Sequence, residues 1–140
     1  SPKEIYNKPA SLFVADFIGS PSMNFFNGKF VFSNNSFVLN NSLINLNNYQ
    51  FENIPSDQTD IVFGIRPEDI SVSDTKESRE FKIELIEPMG ADTLIWLSLE
   101  DIPFSVRLEG SSDYKLGDVI NINFDIKRAS VFDQKSELRL

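Results

Sequence analysis

Two carboxylates, Glu87 and Asp92, flank Gly90 in the run Glu84-Leu-Ile-Glu87-Pro-Met-Gly90-Ala-Asp92-Thr93. A pair of acids near a turn is the residue set of glycosidase-type general acid and base work. No cleft signature or supporting base accompanies this pair. The two acids therefore read as carboxylates that cap turn amides or face solvent, around a hairpin whose turn Gly90 permits. A second polar cluster is Gly64-Ile65-Arg66-Pro67-Glu68. An arginine leaving a buried strand can hold carbonyls or a carboxylate through paired hydrogen bonds, and Pro67 fixes the turn that aims it. The structural reading is a corner in which Arg66 ties the β body to a linker. The functional reading is a direct contact to a partner.

Composition removes most other chemistry. The 140 residues include no cysteine and no histidine, so a disulfide, a thiolate nucleophile, a Cys/His zinc site and a histidine base are all excluded. A formal net charge of -8 argues against nucleic acid, which needs a basic footprint. The phosphate-cradling string G-x-x-x-x-G-K-[ST] is absent, as is a strand ending in paired acids that would hold magnesium. No apolar run reaches the roughly 18 residues that a membrane helix needs. Hydrophobic residues make up 41% of the chain, enough to bury a core as one domain or two joined barrels. The chain opens on Ser1 with no visible signal peptide, which reads as the interior of a longer protein.

The elements that must position these clusters are mostly strands. Ser1-Pro2-Lys3-Glu4 has the form of a capping box and predicts a short helix through about Asn7. Lys8-Pro9 breaks it. In Phe13 to Phe25 (FVADFIGSPSMNF) the four-apart pairs Phe13/Phe17 and Val14/Ile18 can share one helical face, that of a helix covering a β core. Gly19-Ser20-Pro21 ends that helix. Strands follow around Phe30, at Phe37 to Leu39 and at Ser42 to Leu46, with the asparagine pairs between them making turns. Asn53 to Asp60 is a loop, and Ile61 to Ile65 an apolar strand buried on both faces. Ser73 to Glu80 is a charged linker. Period-two alternation then marks strands at Phe81 to Leu85, Leu97 to Leu99, Phe104 to Leu108 and Ile120 to Ile126. Trp96 and the phenylalanines are assigned to the core.

FVADFIGSPSMNFF, preceded by EIYNKPASL and followed by FGIRPED, resembles the region after the nucleotide-binding domain in ATPase subunits of ABC importers. The similarity is strongest to the maltose and sn-glycerol-3-phosphate importer group. It covers nearly the whole chain, strongly at Glu4 to Phe26, Phe63 to Glu68 and Glu84 to Thr93, and weakly at Asn27 to Asp60. The resemblance implies a mainly β fold, an OB-like β-barrel regulatory domain (the transport-associated OB domain) with short N-terminal helices. Residues 1–23 would complete the ATPase domain and residues 24–140 form the regulatory domain, with a possible junction of two sub-barrels near 61–74. Motif residues carried over as structural or interface positions are Phe17, Ile18, Gly19, Ser20, Pro21, Met23 and Asn24. Gly64, Arg66, Pro67, Glu68, Glu87, Gly90 and Asp92 complete the set. The implied role is non-catalytic, with no cofactor in this chain and ATP and magnesium in the ATPase domain. Implied partners are a second copy through the regulatory domain, permease subunits through the ATPase domain, and a regulatory protein, at the cytoplasmic face of the membrane. The full Gly19 to Asn24 string favours sugar or sn-glycerol-3-phosphate uptake over polyamine or iron uptake. Two alternatives remain open: a barrel binding an oxyanion such as molybdate, and a nucleic-acid-binding OB domain.

Overall fold

A computed structural model describes residues 1–17, 22–110 and 112–140. Two short helices, α1 (Pro2–Asn7) and α2 (Leu12–Phe17), precede eleven strands among the described residues. The strands are β1 (Asn24–Val31), β2 (Ser36–Leu39), β3 (Ser42–Asn45), β4 (Asp60–Ile65), β5 (Ile70–Val72) and β6 (Arg79–Lys82). They continue with β7 (Leu85–Met89), β8 (Asp92–Leu99), β9 (Ile102–Glu109), β10 (Val119–Phe124) and β11 (Ser130–Asp133). Short 3-10 turns at Pro67–Asp69 and Ile126–Arg128 punctuate them.

All the strand pairs are antiparallel and form three sheets, ordered β11-β4-β1-β2-β3, β5-β10-β6 and β7-β8-β9. Among the described residues none of the sheets closes on itself. The mainly β class with short N-terminal helices is as the sequence implies. β4 lies between β1 and β11, and Ile61 through Ile65 are all buried, which explains an apolar run without alternation. One core joins the sheets: Phe26, Phe30, Phe37 and Phe63 from the first meet Ile120 and Ile122 from the second and Phe104 from the third. Phe104 sits edge-on to Phe26 and Phe81, with ring centroids 5.6 and 5.2 Å apart, a geometry that the ring quadrupole favours.

The asparagine-rich tract is a set of turns, with Asn35 and Asn40 at positive φ. The capping box forms: the Glu4 amide donates to Ser1 Oγ while the Glu4 carboxylate takes the Ser1 amine. Three expectations change. The run Phe81 to Leu85 is two strands, because the backbone of Ile83 bonds to Asp118 and Gly117 of one sheet while Glu84 donates to Trp96 of the next. That transfer between sheets inverts the face, leaving Ile83 buried and Leu85 52% exposed. Ile126 lies in a 3-10 turn and not in β10. In α2 the buried side is Ala15 with Leu12, packed on Met23, Val62 and Phe132, while Phe13 is 74% exposed. Ile18, the fourth member of the expected face, and the helix stop Gly19-Ser20-Pro21 lie outside the described residues.

The β8–β9 hairpin turns on Glu100 and Asp101, both at positive φ (49° and 66°). That backbone favours glycine and asparagine. Asp101→Gly is expected to stabilise the chain by about 0.5–1 kcal/mol, read as a higher urea midpoint with an unchanged denaturant slope. Glu100 has a compensating role, since its Oε1 accepts from the Asn41 amide at 3.1 Å and Ser42 Oγ at 3.0 Å. It fastens the β2–β3 turn.

Candidate functional site

The motif residues gather where β4 ends. Gly64 sits in the middle of three strands, opposite Phe25 and Ser130. A Cβ built on it would stand 2.6 Å from Met23 Sδ and 3.4 Å from the Phe25 ring. The glycine is therefore what lets Met23 bury itself over β4. Next to Met23, Asn24 opens β1 and is buried with Ser105 of β9. Its Nδ2 donates to the Ser105 carbonyl at 2.9 Å, and its Oδ1 accepts from the Ser105 amide at 2.9 Å. One amide side chain thus imitates a strand neighbour and joins the first sheet to the third.

Arg66 follows Ile65 and is only 1% exposed, although it carries a charge. Pro67 begins the 3-10 turn that bends the chain away, with the Asp69 amide returning to the Arg66 carbonyl at 2.9 Å. The guanidinium carbon lies 4.0 Å above the centroid of the Tyr6 ring in α1, and Nη2 donates to the Tyr6 carbonyl at 3.5 Å. Tyr6 Oη in turn donates to the Glu68 carboxylate. Arg66 and Glu68 together clamp the first helix to the end of β4. α1 is thereby docked on its own chain.

This clamp is visible in the titration of Tyr6. Partial burial, then the bond to Glu68 and its charge, push the phenol up to about 12 from 10.0. Burial foremost, and next the Glu68 charge, also raise Asp69 above the ordinary carboxylate range. For Tyr6 the folded value exceeds the unfolded one, so its contribution is whole below pH 10 and fades as pH rises toward about 12. Wild type is therefore expected to lose stability through that window more steeply than Tyr6→Phe. Parallel alkaline unfolding curves for the two proteins would rule the clamp out.

The hairpin acids are not a catalytic pair. Gly90 has φ 67° with open space around its Cβ position and opens the two-residue β7–β8 turn. Glu87 accepts the Trp96 indole N–H at 3.0 Å, while Asp92 forms an ion pair with Arg107 at 3.2 Å. Both partners are side chains of neighbouring strands; Glu87 is solvent-exposed and Asp92 half-buried. Trp96 is half-buried, not a core residue, because its indole N–H needs that carboxylate. Phe17 closes α2; Ile18, Gly19, Ser20 and Pro21 lie outside the described residues.

Sequence reasoning found Arg66 and Asn24 but not their partners. Tyr6 is 60 residues from Arg66, and Ser105 is 81 from Asn24. No local pattern announces either. Among the described residues no group of three or more His, Cys, Asp or Glu side chains gathers as a metal site, and no helix is long and apolar enough to cross a membrane.

Comparison with known proteins agrees with this organisation. Residues 19–70 match the MalK OB fold domain and residues 63–132 match the TOBE domain, so Arg66 lies in the stretch that the two share. The chain is 36% identical over 141 residues to the sn-glycerol-3-phosphate import ATP-binding protein UgpC of Psychromonas ingrahamii, covering 95% of this chain and 36% of that protein. It is 31% identical over 149 residues to the oligosaccharides import ATP-binding protein MsmX of Bacillus subtilis, covering 100% and 40%. The putative uncharacterized ABC transporter ATP-binding protein YcjV of Escherichia coli K12 is 34% identical over 146 residues, covering 100% and 39%. The chain thus spans about two fifths of the length of the curated relatives it matches. With its OB fold domain running into a TOBE domain through the Arg66 corner, this chain belongs to the TOBE domain family, in the form carried by ABC importer ATP-binding subunits.

Proposed function

We propose that this chain is the non-catalytic regulatory and dimerisation domain of the ATP-binding subunit of an ABC importer for sugars or sn-glycerol-3-phosphate. The observation that carries the reading is the near-complete coverage of the chain by proteins named as oligosaccharide and sn-glycerol-3-phosphate import ATP-binding proteins. Residues 1–23 then end the ATPase domain, which holds ATP and magnesium and meets the permease subunits, and residues 24–140 form the regulatory body. The subunit sits at the cytoplasmic face of the membrane without crossing it. A regulatory protein is a further partner of the body.

In this reading the clamp of Tyr6 by Arg66 and Glu68 has a mechanical use. A helix stacked on a buried guanidinium and bonded to a carboxylate moves with the sheet that carries them. Displacement of the ATPase domain therefore reaches the β core through α1 instead of being lost in a slack linker. The dimer contact gives that motion a pivot.

Sedimentation equilibrium of the 140-residue chain from micromolar to millimolar concentration tests the dimerisation role. A concentration-dependent dimer is expected. A strict monomer at the highest concentration overturns that role.

A further inference from the structure

Two strands bound the five-stranded sheet, β11 and β3. A bounding strand presents unpaired N–H and C=O groups to any extended chain that comes near. The outer side of β11 is already taken: the Leu140 amide donates to the Val131 carbonyl at 2.8 Å, and Phe132 bridges Arg139. On the β3 side, the alternation of an antiparallel ladder decides which groups are left over. Phe37 pairs with Ile44 and Val38 with Leu43, and the Leu46 amide returns to the Asn35 carbonyl at 2.8 Å. Ser42, Ile44 and Leu46 therefore bond toward β2, whereas Leu43 and Asn45 direct their backbone groups away from it.

Arg79 covers that edge. It opens β6 in the second sheet, and its Nη2 donates to the Leu43 carbonyl of β3. The residue is half-buried, and burial lowers its pKa from the usual arginine range. The chain has 21 acids, yet among the described residues none holds Arg79 in an ion pair. Partial burial of a cation costs solvation, and here the compensating bond goes to a backbone carbonyl at a sheet edge. β3 itself, Ser42-Leu-Ile-Asn45, contains no charge and no proline, the residues that ordinarily blunt an exposed edge. Leu43 is 40% exposed and offers an approaching strand an apolar contact. The charge missing from β3 is supplied from another sheet, by a planar fork standing where an added strand would lie.

We propose that Arg79 guards the β3 edge: by occupying the Leu43 carbonyl it stops β3 from pairing with β3 of a second copy. The second copy is the fitting occupant because the strand is its own complement. Run antiparallel about a two-fold axis, the outward N–H and C=O groups of Leu43 and Asn45 meet the same groups of the other strand, and no charge on either strand opposes the contact. The result is one sheet continuous through both molecules. This contact is one that the native chain suppresses. It is therefore separate from the dimer proposed above, which forms with Arg79 in place.

Light scattering of the 140-residue chain and its variants, each taken to about 1 mM, tests the guard. Arg79→Ala is expected to self-associate about tenfold or more tightly than wild type measured alongside it. Hydrogen exchange locates the contact: the Leu43 and Asn45 amides should gain protection in Arg79→Ala as its concentration rises, and not in wild type. The double variant Arg79→Ala/Leu43→Pro removes the outward N–H of Leu43 while leaving the bonds to β2, and is expected to return to the mass of wild type. An Arg79→Ala chain that associates no more than wild type overturns the proposal. So does a double variant that associates as strongly as Arg79→Ala, because association through partly unfolded chains is not relieved by a further proline. Association of Arg79→Ala without added protection at Leu43 and Asn45 places the contact elsewhere and also overturns it.

Discussion

Arg66→Ala is expected to destabilise the chain by about 4 kcal/mol, a fall in melting temperature of roughly 15 °C for a protein of this size. The side chain is among the largest that are fully buried, so truncation leaves a cavity at the end of β4. It also removes the cation stacked on Tyr6 and the donor to the Tyr6 carbonyl. Arg66→Lys keeps the charge but not the plane, and should recover about half of the loss. Combining Arg66→Ala with Tyr6→Ala gives a coupling energy that isolates the clamp, expected at about 1–2 kcal/mol. Hydrogen exchange offers a second readout: α1 amides should lose protection in Arg66→Ala before the β core does. A loss below about 1 kcal/mol with α1 still protected would mean that Arg66 merely occupies space.

Asn24→Ala is the other large effect, expected at about 3 kcal/mol. The cost comes less from the asparagine than from what it leaves behind. Ser105 is 1% exposed, and both its amide and its carbonyl bond to the Asn24 side chain. Removing that side chain strands a buried donor and a buried acceptor, each costing about 1–3 kcal/mol. Asn24→Asp is the informative control. A carboxylate can still accept from the Ser105 amide, but it turns a second oxygen toward the Ser105 carbonyl and should cost at least as much as alanine. Equilibrium urea unfolding of the three proteins decides the matter, and an aspartate variant as stable as wild type would contradict the assignment.

These two residues mark how far the sequence could be read. Short-range physics was legible: the alternation in Phe104 to Leu108 gave a strand, the unbroken Ile61 to Ile65 gave one buried on both faces, and Ser1 and Glu4 gave a capping box. Gly90 stood where the β7–β8 hairpin turns. The motif strings pointed to Met23, Asn24, Gly64 and Arg66, and the structure brings all four to one corner. What the pattern could not carry was pairing across distance. Arg66 reads as a corner residue, but that it stacks on Tyr6 depends on a helix folding back over 60 residues. The alternation through Phe81 to Leu85 is continuous in sequence although the chain changes sheets at Ile83 and Glu84, because the period of two is kept while the buried face inverts.

The account rests on this chain being the coupling part of a nucleotide-hydrolysing subunit. The most direct measurement is ATP hydrolysis by the polypeptide encoded through the reading frame upstream of Ser1, with and without residues 24–140. The longer polypeptide is expected to hydrolyse ATP, and removing residues 24–140 to leave the hydrolytic site intact while abolishing the dimer that forms without nucleotide. An upstream polypeptide that neither binds nor hydrolyses ATP would contradict it.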